Sequence, residues 1–234
     1  MIDQFIYLHG FASGPLSKKA SIFRSEFEMR SLQLAIPDLE GGDFENLTIS
    51  SQIEIVKKCM GDESGRRFGL IGSSMGGYLA VLLAQLRADV TGIYLMAPAF
   101  NFAQRWQARL KKEFSDVPDL IEVFHYRYNE KRKIKTLLFG DAEKWDAISA
   151  SRTLPVRIVH GMKDESVDIG ESREFVRLHP WCRFVELDSD HALLSHVDWL
   201  VEDCLRFFGY DLRAIPERFV FLTRLNEGNH TGNR

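Results

Sequence analysis

The pentapeptide Gly72-Ser73-Ser74-Met75-Gly76 constrains this chain more than any other stretch of it. Residues 67–71 before it read as a short buried strand, and residues 75–86 after it read as an apolar helix. A G-x-S-x-G motif between a strand and a helix predicts a tight corner with the central Ser74 at its tip, its hydroxyl exposed. The neighbours of such a serine must be small. Gly72 and Gly76 leave room for the turn and for close packing of strand on helix.

Strand-like and helix-like segments alternate around this corner. Residues 5–8, 32–36, 90–96, 156–159 and 183–187 read as further strands, the second stopped by Pro37. Residues 17–29, with Ser17 as N-cap, 48–60 and 169–178 read as helices. Leu194, Val197, Leu200, Val201, Cys204, Leu205 and Phe208 fall on one side of a last helix, which Gly209 ends as a C′ glycine. Such alternation predicts an α/β fold: a parallel sheet with helices on both faces and right-handed crossovers. The 234 residues, 45% of them hydrophobic and 12% aromatic, suit one large domain over residues 1–210. Residues 211–234 read as an extension, with an edge strand at 219–222 and a frayed polar tail.

One stretch, from about 100 to 150, breaks the alternation. Phe102, Trp106, Leu110 and Phe114 recur every fourth residue, as on one face of a helix. An aromatic run at 121–128, a polar run at 129–133 and an apolar run at 134–139 follow. The pattern predicts a helix and then a β-hairpin or two short helices, forming a small cap inserted after the strand that follows the corner.

Composition excludes several classes of partner. A net charge of −3 points to neither nucleic acid nor an anionic membrane. No run approaches the ~20 apolar residues of a membrane span, and the N-terminus shows no basic region followed by an apolar one. Cys59, Cys182 and Cys204 are odd in number and form no C-x-x-C, which fits a reducing cytoplasm. No metal or cofactor is expected.

A serine hydroxyl is a weak nucleophile until a base takes its proton, donors receive the oxyanion and an acid orients the base. His191, in a loop between the last strand and the last helix, is the candidate base. His9 and His160, each before a glycine at a strand end, read as structural histidines. Asp164, in the loop after the penultimate strand, is the candidate acid, with Glu165 and Asp168 as near competitors. The order Ser74, Asp164, His191 is the one expected of α/β-hydrolases. The N–H groups of Met75 and of Phe11, or Ala12 second, are the candidate oxyanion donors. Phe11, Phe100, Phe102 and Trp106 are the candidate substrate-binding side chains.

The segments Tyr7-Leu8-His9-Gly10-Phe11-Ala12-Ser13-Gly14-Pro15, Ser17-Lys18-Lys19-Ala20, Gly72 to Gly77, Ala97-Pro98-Ala99 and His160 to Val167 carry a family resemblance. Over roughly residues 4–208 the chain resembles the α/β-hydrolase superfamily, and within it the small bacterial YqiA-like esterases and related serine hydrolases with acyl-thioesterase activity. The resemblance implies a cofactor-free Ser74-His191-Asp164 hydrolase of small-molecule carboxylic esters or thioesters. A peptidase or acyltransferase on the same fold, or a non-catalytic binding protein that keeps it, are the alternatives.

Overall fold

A computed structural model describes residues 2–62, 65–146 and 150–210. The expected extension, including its edge strand at 219–222, lies outside the described residues. In chain order the elements are β1 (Gln4–Leu8), α1 (Lys18–Met29), β2 (Leu34–Ala35), α2 (Ile49–Met60), β3 (Phe68–Ser73), α3 (Met75–Leu86) and β4 (Val90–Met96). After them come α4 (Phe102–Glu113), β5 (Leu120–His125), β6 (Glu130–Lys135), α5 (Leu137–Asp146), β7 (Val156–Gly161), α6 (Ile169–Leu178), β8 (Arg183–Leu187) and α7 (Val197–Phe207), the last entered through a 3₁₀ turn at Leu194–His196.

Six strands form one sheet in the order β2-β1-β3-β4-β7-β8, every neighbouring pair parallel. Side chains alternate between its faces, as the period of two requires. Phe5, Tyr7, Ile71, Tyr94, Met96 and Val159 pack against α1 and α7, whose Phe23, Phe27, Leu200 and Leu205 are fully buried. Ile6, Leu8, Leu70, Ile93, Leu95 and Ile158 pack on the other side with α2 and α3. α3 is buried along nearly its whole length, which is why it reads as continuously apolar rather than striped. The Ser17 side chain accepts from the Ala20 N–H, and Thr48 and Ser51 cap α2 reciprocally.

β2 is shorter than the five residues expected. Ser31 takes a φ of 55°, and the Leu32 N–H still bonds the Phe27 carbonyl, so the turn leaving α1 consumes the start of that apolar run. The stretch between β4 and β7 resolves as a helix, a two-stranded antiparallel hairpin and a second helix. The last apolar run, 134–139, divides between them: Ile134 lies in β6 and is buried, whereas Leu137, Leu138 and Phe139 open α5. Trp106 of α4 stacks on Phe139 of α5 at 4.8 Å, and Asp141 of α5 accepts from the N–H and hydroxyl of Ser50 at 2.7 and 2.8 Å. The hairpin lies over the loops that follow β1 and β2. Tyr126 N–H bonds the Ala12 carbonyl, Lys135 N–H bonds the Glu45 carbonyl, Arg127 pairs with Asp38, and His125 meets Glu40 at 2.7 Å.

The strand order reverses between β1 and β3, so their C-terminal ends open side by side into loops that leave in opposite directions. Open α/β sheets bind ligands in such crevices. The two loops touch. A Cβ added at Gly76 would collide with the Leu8 carbonyl and stand 2.7 Å from the His9 carbonyl oxygen. Gly76→Ala is therefore expected to cost about 1–3 kcal/mol in chemical denaturation. Gly140→Ala, where an added Cβ meets nothing within 4 Å in mid-α5, should instead stabilise by about 0.5–1 kcal/mol.

Candidate active site

The corner between β3 and α3 holds Ser74 at φ 55° and ψ −119°, a conformation L-residues rarely adopt. Its own backbone bonds hold it there. The Ser74 N–H donates to the Met96 carbonyl at the end of β4, and the Ser74 carbonyl accepts from the N–H groups of Gly77, Tyr78 and Ala99. The loop after β1 stands against it: a Cβ built at Gly10 would be 3.4 Å from the Ser74 Cβ.

His191 and Asp164 come from the far side of the sheet. β7 and β8 are neighbours, and the loop after β8 folds back across the end of β7. The Met162 and Lys163 N–H groups bond the Leu187 and Ser189 carbonyls, and a Cβ at Gly161 would strike the Ser189 carbonyl and lie 2.6 Å from that of Asp190. This crossing brings His191 Nδ1 to 2.7 Å from Asp164 Oδ2. The Asp164 side chain has no exposed surface, whereas the His191 side chain keeps 29% of its own. An Nδ1–H donating to a carboxylate leaves Nε2 as the lone-pair nitrogen.

Asp164 fills all its acceptor sites. Its Oδ2 also takes the His160 Nε2–H at 3.0 Å, and its Oδ1 takes the N–H groups of Ser166 and Val167 at 2.8 Å each. Burial pushes the carboxyl upward, but the bonds from His160, His191 and Val167 outweigh it and hold the group well below the usual carboxylate range. His160, a structural histidine on its sequence, is a direct partner of Asp164. It is fully buried between Asp164, the Val167 carbonyl and Ser172 Oγ, the last at 2.7 Å. Glu165 and Asp168 do not reach His191; Asp168 instead caps α6, accepting from the Gly170 N–H.

Among the described residues the Ser74 hydroxyl makes no hydrogen bond to His191, and the Phe11 and Met75 N–H groups donate to no protein acceptor. Catalytic hydrogen bonds are often long in the unliganded state and tighten on substrate binding. His9 Nε2 accepts from the Leu39 N–H at 3.1 Å while Nδ1 donates to the Gly10 carbonyl at 3.0 Å. Both ring nitrogens are thus spent on the shape of the loop that carries Phe11. Ala12 in that loop has φ 51°, and its carbonyl takes the hairpin N–H of Tyr126.

The four aromatic candidates do not form one group. Phe11 packs edge-on to Phe102 at 5.9 Å and to Trp106 at 5.5 Å, and Phe102 is 2% exposed, a core residue beneath the other two. Phe100 stacks on Phe175 of α6 at 4.1 Å, away from that cluster. An apolar crevice lined by Val81, Ile93, Leu154, Phe175 and Trp181 contains none of the predicted site residues. It reaches the middle of β4 and the start of β7, away from the C-terminal strand ends beside Ser74. Among the described residues no group of three His, Cys, Asp or Glu side chains is disposed to hold a metal ion.

A carboxyl held low in the fold stabilises it above its unfolded value and loses that contribution as pH falls through the folded one. Replacing it with Asn leaves buried donors without a charged acceptor, at about 1–3 kcal/mol. Thermal melts of Asp164→Asn are therefore expected to fall below wild type at neutral pH, and the gap should close as pH drops below about 4. A gap constant from neutral to acid pH would contradict the charge assignment.

The fold matches solved α/β-hydrolase structures. Est1E from Butyrivibrio proteoclasticus superposes with a TM-score of 0.71 at 20% identity, covering 88% of this chain and 87% of that one. Alpha/beta hydrolase domain-containing protein 10 from mouse superposes at 0.73 and 21% identity, covering 88% and 89%. A structure from work on the metagenome-derived lipolytic enzymes LipS and LipT superposes at 0.66 and 17% identity, covering 88% and 94%. With its six-stranded parallel sheet and helices on both faces, the chain has the α/β-hydrolase fold. Residues 4–208 match the family described as uncharacterised protein family UPF0227, and the chain belongs to that family.

Proposed function

We propose that this protein is a serine hydrolase that cleaves carboxylic ester or thioester bonds through an acyl-enzyme. The observation that carries this reading is the 2.7 Å bond from His191 Nδ1 to a carboxylate with no exposed surface, at the sheet edge where Ser74 occupies a strained corner.

Ser74 Oγ attacks the acyl carbonyl carbon as His191 Nε2 takes its proton. Asp164 stabilises the imidazolium through Nδ1–H without itself accepting the proton. The carbonyl oxygen, now an oxyanion, is received by the N–H groups of Phe11 and Met75. The second of these heads α3, where the helix dipole favours negative charge. Collapse expels the alcohol or thiol, which His191 protonates. Water then attacks the acyl-enzyme, giving its proton to His191, and Ser74 leaves with that proton as the acid departs.

The partly exposed rings of Phe11 and Trp106 favour an apolar acyl group, with Phe102 as packing behind them. Among the described residues no helix is long and apolar enough to cross a membrane. The three free cysteines, two of them buried, fit a reducing cytoplasm. The insertion between β4 and β7 serves as the cap over the acyl site, and the substrate is a small molecule.

Ser74→Ala is expected to lower turnover of a short-chain p-nitrophenyl ester by about 10⁴-fold or more. A serine-directed phosphonate should label wild type at Ser74 and leave the variant unlabelled. Full turnover by the variant would overturn the assignment. A panel of esters, acyl-thioesters and amides at equal concentration separates this reading from a peptidase.

A further inference from the structure

Helix α4 carries no cap of its own. Asn101 at its N-cap makes no side-chain capping bond, and its first turn holds no acidic residue. The unpaired N–H groups and positive dipole at such an end attract an anion. Here the anion comes from another helix. Glu171, in the first turn of α6, accepts from the Asn101 N–H through Oε2 at 2.9 Å and from Arg105 Nη1 through Oε1 at 2.5 Å. The Glu171 side chain is 9% exposed and that of Arg105 30%. A carboxylate so covered depends on its donors, and both of these belong to the head of α4.

A second contact fastens the same segment. Phe100 lies flat on Phe175, one turn along α6 from Glu171, with the ring planes 10° apart. Just before it, the Ala99 N–H bonds the Ser74 carbonyl. Residues 99–105, the root of the insertion, are thus held between the corner serine and α6. Trp106 comes directly after them. Its ring lies 5.5 Å from that of Phe11 and stacks on Phe139. The buried Phe102 and Leu110 hold α4 down by apolar packing, which has no direction. The bonds to Glu171 do have direction, so they fix the angle at which α4 leaves the core and carries Trp106.

We propose that Glu171 is a positioning residue for acyl selection: by holding the head of α4 through Asn101 and Arg105, it sets the place of Trp106 opposite Phe11 and with it the fit of long acyl chains. This rests on the reading of Ser74 as the nucleophile and of Phe11 and Trp106 as the wall of the acyl site. An acetyl group presents a single methyl to that wall, an octanoyl chain most of its length. Loss of the anchor therefore weakens the transition state of a long-chain ester and spares that of a short one.

The test is the ratio of kcat/KM for p-nitrophenyl octanoate to that for p-nitrophenyl acetate. Glu171→Ala is expected to lower this ratio about 4- to 15-fold, the loss of one or two methylene contacts, with acetate turnover near wild type. Arg105→Lys, which keeps the charge, should hold the wild-type ratio. Added to Trp106→Ala, the Glu171→Ala substitution should cost nothing more in the ratio, because both act through one ring. A purely structural glutamate would lower both substrates alike, or would add its loss to that of Trp106→Ala, and either result overturns the proposal. If Glu171→Ala does not fold, Arg105→Met at the partly exposed partner takes its place, and an unmoved ratio there counts against the anchor. Wild type that neither turns over acetate nor takes a phosphonate on Ser74 would instead overturn the underlying reading.

Discussion

A carboxylate shut away from water must find a donor for every lone pair, and Asp164 finds four. Two come from the backbone of its own loop, one from His160 at the end of β7, and one from His191 in the loop after β8. Remove any of them and part of a buried charge is left uncompensated, at a cost well above the worth of an ordinary hydrogen bond. The two loops are therefore closed on each other as a condition of folding. The orientation of the His191 ring follows from that closure, because Nδ1 serves the carboxylate.

The other half of the site is held by backbone rather than by charge. The corner at Ser74 is wedged between the carbonyls that end β1 and the strand end of β4. Its unfavourable φ persists because the surrounding bonds leave no alternative. Charge then re-enters from below through Lys19 and from above through the hairpin, whose Arg127 and His125 meet Asp38 and Glu40. Burial raises the Glu40 carboxyl to about 7, so near neutral pH its contact with His125 involves a carboxyl that readily keeps its proton.

Much of this was legible in the sequence because it depends on local periodicity. Residues 75–86, 90–96, 169–178 and 183–187 fall where apolar spacing and turn residues put them. The corner serine and the His191–Asp164 pair could be read because their residue types are distinctive and their order along the chain is restrictive. What could not be read depends on long-range contact. Nothing local marks His160 as a partner of Asp164, or Lys19 as buried, since a lysine in the first turn of a helix looks like solvated surface. Phe100 and Phe102 look equivalent as neighbours in an aromatic run, yet one turns onto α6 and the other into the core. The apolar run at 134–139 gave no sign of where strand ended and helix began.

The bond from the Tyr126 N–H to the Ala12 carbonyl joins parts of the chain that are far apart in sequence. Closing so long a stretch costs entropy that only the finished contact repays, so such pairings form late. The β1–α1 loop thus owes part of its final shape to the docked hairpin rather than to its own neighbours in sequence. A chain caught before hairpin docking would carry nearly native helix and sheet content while lacking an ordered loop beside Ser74. For this protein, spectroscopic recovery of secondary structure would run ahead of recovery of the native site.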